Sequence, residues 1–306
     1  MRQSSMSRPV LTSCHIAVAA LLLAGCGSAA PSAPGDLHPA PAASGGPGPC
    51  GTPPPSAPGL PQPTKFAQGG VEITGIGPDC VAYRVANPNL EPYDVTAVFG
   101  VPSAVGAGSE NVSEAVTALE PGATRQGRLD FHPAAADRPG GGPQPRLVQV
   151  RSVPTAEAPG TGGPCPASGL RLYADEGSAA MGLRAVGLHL RNCGTAAVTL
   201  DGYPRAQPLG FDHQPVDGVR ILRGGAEIAA GTGADDPPQK IVLNPGEGAR
   251  ATLVWRNTTE AGTPVSAPYV RVRATPDAAP VMVTPELDLG TTGRLGVGAW
   301  VREGVD

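Results

Sequence analysis

Lysine is almost missing from this chain: only Lys65 and Lys240 stand among its 22 basic residues. Aromatic residues make up 4% and charged residues 16% of the 306 positions. No run of Lys and Arg forms a stripe that could neutralise phosphates, so nucleic acid is not an expected partner. The familiar catalytic signatures are missing as well. There is no G-x-S-x-G elbow, no H-E-x-x-H helix and no G-x-x-x-x-G-K-[ST] phosphate cradle. Nor is there a Cys–His arrangement suited to a nucleophile or to zinc. The chain is therefore expected to be no enzyme and to need no metal or cofactor. A convincing amphipathic helix is absent too, which points away from helical folds.

What the sequence has in abundance is turn formers, 43 Gly and 37 Pro, with enough Val, Leu and Ile for small cores. The excess of Arg over Lys amid Ala, Gly and Pro is the product of GC-rich codons, and so reports on a genome rather than on a function. Arg2 and Arg8 precede an apolar run at 16–24, "IAVAALLLA". Nine residues span about 13 Å as a helix, short of a bilayer core, so residues 1–25 read as a signal peptide. "LAGC" at 23–26 resembles a bacterial lipobox, in which the Cys26 thiol takes a diacylglyceryl group. Two acyl chains suffice for stable anchoring. The expectation is a protein lipid-anchored to the outer face of the cell membrane, with the membrane as partner and an unidentified envelope protein or ligand as a second one. Residues 26–63 are Ala, Pro, Gly and Ser with hardly a large apolar side chain, and are expected to form a disordered stalk. Without residues 1–25 the chain keeps 20 basic against 26 acidic groups, a net −6.

Six cysteines become four once Cys14 leaves with the signal peptide and Cys26 is acylated. Cys50, Cys80, Cys165 and Cys193 allow three pairings in an oxidising compartment. Their spacing favours Cys50–Cys80 and Cys165–Cys193, one staple in each half of the chain.

The two halves repeat a plan. "LEPG" at 119–122 matches "LNPG" at 243–246, with an aromatic twelve residues after each leucine, Phe131 and Trp255. "RLVQVRSVP" and "YVRVRATP" both alternate arginine with valine, and Asn87 and Asn192 each stand eight residues before an aliphatic, Val95 and Leu200. Leu170, Leu172 and Ala174, then Ala249, Ala251, Leu253 and Trp255, show the period of two typical of half-buried strands. Short strands punctuated by Gly and Pro predict an all-β protein: two immunoglobulin-like β-sandwich domains in tandem, at 64–155 and 164–302. A linker at 156–163 joins them, and residues 224–239 read as a long inserted loop.

In the second half Cys165, then "LHLRN" ending at Asn192, "LDGYPRAQPL" from Leu200, and "LNPGEGARATLVW" follow in order. This order resembles the actinobacterial secreted domain of unknown function DUF4232, over about residues 164–300. Members of that family place a cysteine two residues before the leucine of L-x-G-Y-P; here Val198 holds that place and the cysteine is Cys193. The resemblance implies a β-sandwich on a secreted or lipid-anchored protein, and no activity. From the residues themselves, Gly202 is expected to hold an unusual backbone conformation and Pro204 to end pairing. Tyr203 is expected to tie a corner to the backbone, and Pro245 and Gly246 to form a turn. Asp212, His213 and Asp217, and the Asp235–Asp236 pair, read as polar loops rather than cation sites. His189 reads as a strand histidine, surface-facing or partly packed. The expected function is a non-catalytic cell-surface binding module, with a structural spacer as the alternative and a cell-wall enzyme a more distant one. The binding loops are sought first within 205–240.

Overall fold

The computed structural model describes residues 50–51, 66–105, 108–133 and 143–304. The signal peptide, Cys26 and the stalk except Cys50 and Gly51 lie outside the described residues. The described chain is all-β, and its single helical turn is a 3-10 turn at Thr155–Glu157.

In the first half, β1 (Ala67–Gln68), β2 (Val71–Ile76), β3 (Cys80–Ala86) and β6 (Thr124–Asp130) form one antiparallel sheet in the order β1-β2-β3-β6. β5 (Ser109–Leu119), β4 (Tyr93–Pro102) and β7 (Arg146–Pro154) form a second, with β4 in the middle. The period-two pattern explains how they meet. Val71, Ile73, Val81, Tyr83 and Val85 of one sheet share a core with Val95, Ala97, Phe99, Leu147 and Val150 of the other.

The second half repeats this order with β8 (Leu170–Ala174), β10 (Leu183–Asn192) and β15 (Gly248–Arg256), where β10 pairs with both neighbours as β3 does. Opposite them lie β11 (Val198–Asp201) paired with β14 (Lys240–Leu243), and β12 (Arg205–Leu209) paired with β17 (Tyr269–Arg273), which also pairs β18 (Val281–Val283). The core joins Leu188, Leu190, Ala251, Leu253 and Trp255 to Leu200, Leu243, Val270 and Val272. The shorter strands are β9 (Ser178–Ala180), β13 (Arg220–Arg223), β16 (Ser266–Ala267), β19 (Leu287–Asp288), β20 (Arg294–Val297) and β21 (Val301–Arg302).

One polar device recurs in both cores. Asn87 and Asn192 are 2% and 0% exposed. The Asn87 side-chain amide donates to the carbonyls of Glu91 (2.8 Å) and Leu119 (2.7 Å), and its Oδ1 accepts from the Asn89 N–H (2.9 Å). Asn192 does the same with Ala196 (2.8 Å), Leu243 (2.9 Å) and the Gly194 N–H (3.1 Å). Each asparagine's backbone carbonyl also accepts from the glycine of L-x-P-G, Gly122 or Gly246. Those glycines have φ of +69° and +86°. Each follows a proline, the pattern of a type II turn. A buried amide with every hydrogen-bonding group partnered is stable where a lone one is costly, and here it ties a strand end to a turn more than thirty residues away.

Disulfides join Cys50 to Cys80 and Cys165 to Cys193, with Cα atoms 5.9 and 5.6 Å apart. Cys50 is 5% exposed. It is packed beside β2, where its backbone oxygen would lie 2.1 Å from a Cβ at Gly75, so the first half recruits a residue that the sequence reading placed in the stalk.

The segment read as a linker is held against the second half. Glu157 pairs with Arg271 at 2.7 Å, and Arg151 of β7 makes a two-pronged pair with Glu286. Val153 shares a small core with Leu209, Tyr269 and Met282, and Ala158 packs against it.

Candidate functional site

β15 alternates strictly, and the residues that miss the core matter here. Ala249, Ala251, Leu253 and Trp255 face inward, so Arg250, Thr252 and Val254 face the opposite side of the sheet. That side is covered by the insertion. β13 adds to β20 in parallel, and the chain after it folds back over the sheet, burying Ala234 completely. The long inserted loop expected at 224–239 is therefore packed structure, with Gly225 donating to the Ala234 carbonyl at 2.8 Å.

The cover stops short of β10. Between the insertion tip at Thr232 and the loop from Asp175 to Ser178 lies an open trough of about 450 Å³. Its floor is Ala185 and Gly187 of β10 with Arg250 and Thr252 of β15, and Gly187 stands directly opposite Thr252. Thr252 is 6% exposed as a residue, and its hydroxyl, which opens to solvent in the trough, has no hydrogen-bond partner among the described residues. The Arg250 and Glu176 side chains are exposed and likewise unpaired among the described residues.

One wall of the trough is fixed by a histidine. Asp175 Oδ1 accepts from the N–H groups of Gly177 (2.9 Å) and Gly187 (2.8 Å). His189 Nε2 meets Asp175 Oδ2 at 3.1 Å, and its Nδ1 meets Glu303 Oε1 at 2.6 Å. The ring stacks on Tyr173 with centroids 5.0 Å apart. Burial disfavours the imidazolium, but hydrogen bonds and charge from Asp175 and Glu303 outweigh it and raise the His189 pKa. The residue opposite His189 on β15 is Arg250. A Cβ at Gly187 would lie 2.3 Å from Asp175 Oδ2, so a side chain there would push that carboxylate aside.

A second cleft, about 360 Å³, lies beneath the segment from Ala156 to Pro164 and beside β8. Its guanidinium, Arg171, donates through Nη2 to the carbonyls of Gly163 (2.6 Å) and Pro164 (3.2 Å), while its buried Nε has no partner among the described residues. The remaining lining is mostly Ala, Gly and Pro, so this cleft offers a ligand little to recognise.

The other candidates from the sequence are dispersed. His213 has φ of +59° and enters the junction of the two halves. It lies edge-on to Tyr269 (4.6 Å) and stacks on Tyr93 (5.7 Å), whose hydroxyl meets Nδ1 at 3.2 Å. Burial lowers the His213 pKa, against a smaller upward pull from the Ser152 backbone, while burial raises that of Tyr93. Asp212 accepts from the Gln214 N–H (3.0 Å), and Asp235 from the Gly231 N–H (3.0 Å). Among the described residues no three His, Cys, Asp or Glu side chains gather where a metal ion could sit.

Gly202 has φ of +72°, and the chain from Gly202 to Pro204 separates β11 from β12. The tyrosine corner is a correction. Tyr203 is half-buried and its hydroxyl bonds no backbone group among the described residues. The tie expected of it is made by Asn192, whose amide reaches two carbonyls from inside the core. Pro245 and Gly246 form the turn, and Trp255 fills the core at 2% exposure. The Thr252 hydroxyl escaped the sequence reading, because a threonine among the apolar residues of β15 looks like an ordinary strand residue.

Residues 165–301 match the family described as domain of unknown function DUF4232. The second half is a DUF4232 domain. No curated protein matches the chain. The DUF4232 match takes in the disulfide Cys165–Cys193, the Asn192 tie and every residue of the trough, whereas the first half lies outside it.

Proposed function

We propose that this chain is a bacterial lipoprotein, anchored by Cys26 to the outer face of the cell membrane, that binds a ligand or envelope partner without catalysis. The two disulfides support an oxidising location, and the lipobox-like 23–26 supports the anchor. On this reading each half is an immunoglobulin-like sandwich from an actinobacterium, which the repeated strand order favours. The observation that carries the binding role is the open trough beside the insertion, where Arg250, Glu176 and the Thr252 hydroxyl all lack a partner among the described residues. A cation, an acid and a hydroxyl that converge on one concave surface without internal partners offer a bound molecule charge and hydrogen bonds together.

The test has two arms. Mass spectrometry of the membrane fraction should find an acylated Cys26, and Cys26→Ser should abolish acylation and release the protein from the membrane. A photo-cross-linker at Thr232 on intact cells should capture a defined adduct that Thr252→Val removes. An unacylated chain sinks the anchor, and an adduct indifferent to Thr252 sinks the binding site. The spacer reading is favoured by the ion pairs that fix the halves together, and it predicts no adduct at all.

A further inference from the structure

We infer that the trough takes a singly charged, polyhydroxylated ligand of the acidic saccharide class. Its carboxylate would sit on Arg250 and its hydroxyls among Thr252, Thr232 and Ser178. This inference rests on the binding reading above and names the chemistry of the bound molecule.

Four features of the trough select that chemistry. Arg250 is a guanidinium with no internal acid to satisfy it among the described residues, so it takes an anionic group in a charge-assisted bond. Asp175 and Glu176 line the same trough. Glu176, unpaired, and Asp175, held by His189, add negative charge to the trough and favour a monocarboxylate over a phosphate dianion. Thr252, Thr232 and Ser178 present hydroxyls, which donate and accept alike and match the hydroxyls of a sugar. Finally, among the described residues no aromatic or large aliphatic side chain lines the trough, so the ligand is polar over most of its surface. The floor of Ala185 and Gly187 lets a ring lie close to the sheet.

The site is held ready before a ligand arrives. His189 fixes Asp175 from below through Nε2, and Asp175 in turn holds the Gly177 and Gly187 N–H groups. The insertion tip is braced by Asp235 on Gly231 and by Thr232, whose hydroxyl accepts from Ala234. A preorganised wall lowers the ordering cost of binding.

Saturation-transfer NMR on the full chain in detergent tests the inference, with sodium glucuronate, glucose, acetate and glycine as probes. Glucuronate should receive saturation, with glucose and acetate each at least ~10-fold weaker, the size of one lost charge-assisted or hydroxyl set. Arg250→Gln should bring glucuronate down to the level of glucose without changing glucose itself. Thr252→Val, which keeps the shape of the side chain, should weaken both sugars. Ser178→Ala, on the exposed wall, repeats that test where folding is not at stake. Acetate or glycine binding as well as glucuronate, or Arg250→Gln leaving glucuronate unchanged, overturns the ligand class. Silence from glucuronate while the Thr232 adduct persists also overturns the class but spares the binding role. Silence in both measurements removes the site.

Discussion

In the first half β4 runs unbroken from Tyr93 to Pro102 and pairs with β5 on one side and β7 on the other. In the second half the same place is divided. β11 pairs with β14, the chain turns through Gly202 and Pro204, and β12 departs to pair with β17. Both halves keep the buried asparagine, the L-x-P-G turn and the two-layer core. Only the second has the insertion, whose strand β13 extends the sheet and whose later residues cover its outer face. The difference teaches where specialisation is cheap. Elements tied to the asparagine are alike in both halves, and the trough lies on the outer face of β10 and β15, away from the core that those strands line on their inner face.

The comparison can be broken at its strongest points first. Replacing either cystine by a serine pair should cost about 3.5 kcal/mol, because the bridges span separations of 30 and 28 residues and constrain the unfolded chain alike. Urea unfolding of the two double variants should show similar losses, and a much smaller loss at Cys50–Cys80 would mean that the first half does not depend on its recruited cysteine. Asn87→Ala and Asn192→Ala should each cost ~2 kcal/mol, since each leaves one buried carbonyl, that of Leu119 or Leu243, without its side-chain donor. Unequal losses from the two asparagines would show that the likeness of the halves is geometric and not energetic.

The junction gives a smaller effect. Arg151 has a side chain only 11% exposed, so Glu286→Gln should destabilise by ~1–2 kcal/mol. The pair Arg84–Glu72 on the first half is 46% and 47% exposed, and Glu72→Gln should cost no more than about 0.3 kcal/mol. Denaturation midpoints of the two variants would rank them, and equal midpoints would refute a fixed junction.

The two histidines should show opposite pH dependence. The folded state raises the His189 pKa, so its contribution is complete below the unfolded value, about 6.5, and fades as pH rises through the folded value. His189→Gln should therefore cost ~1 kcal/mol in mild acid, given partial solvent screening, and less in alkali. The folded state lowers the His213 pKa, so its contribution is present above about 6.5 and is lost as pH falls through the folded value. His213→Gln should flatten the acid limb of the stability profile. Thermal unfolding from mild acid to mild alkali checks both, and parallel profiles for the two variants would contradict the assigned environments.

Local pattern carried the all-β architecture. Alternation such as Ala249, Ala251, Leu253 and Trp255 is written residue by residue, because a strand's facing is set by its own period of two. The pairing favoured for the four cysteines also came from spacing, as did the turns at Gly122 and Gly246, which need a positive φ after proline. The interiors of the site were not legible in this way. Nothing near Thr252 in sequence says that the chain twenty residues earlier covers its neighbours but leaves its hydroxyl open. His213, surrounded by Asp212 and Asp217 in the sequence, reads as a solvated loop, and only folding sets it between Tyr93 and Tyr269.

The sequence by itself thus determined the strands, their facing and their turns, since each depends on residues within a few positions of one another. The tertiary structure alone decided which polar groups are satisfied and which are left waiting, which histidine is stripped of water and which is held by two acids, and that the halves are joined at Arg151 and Arg271. Solvation and charge are properties of what surrounds a group, and in this chain the surroundings come from segments up to 135 residues apart.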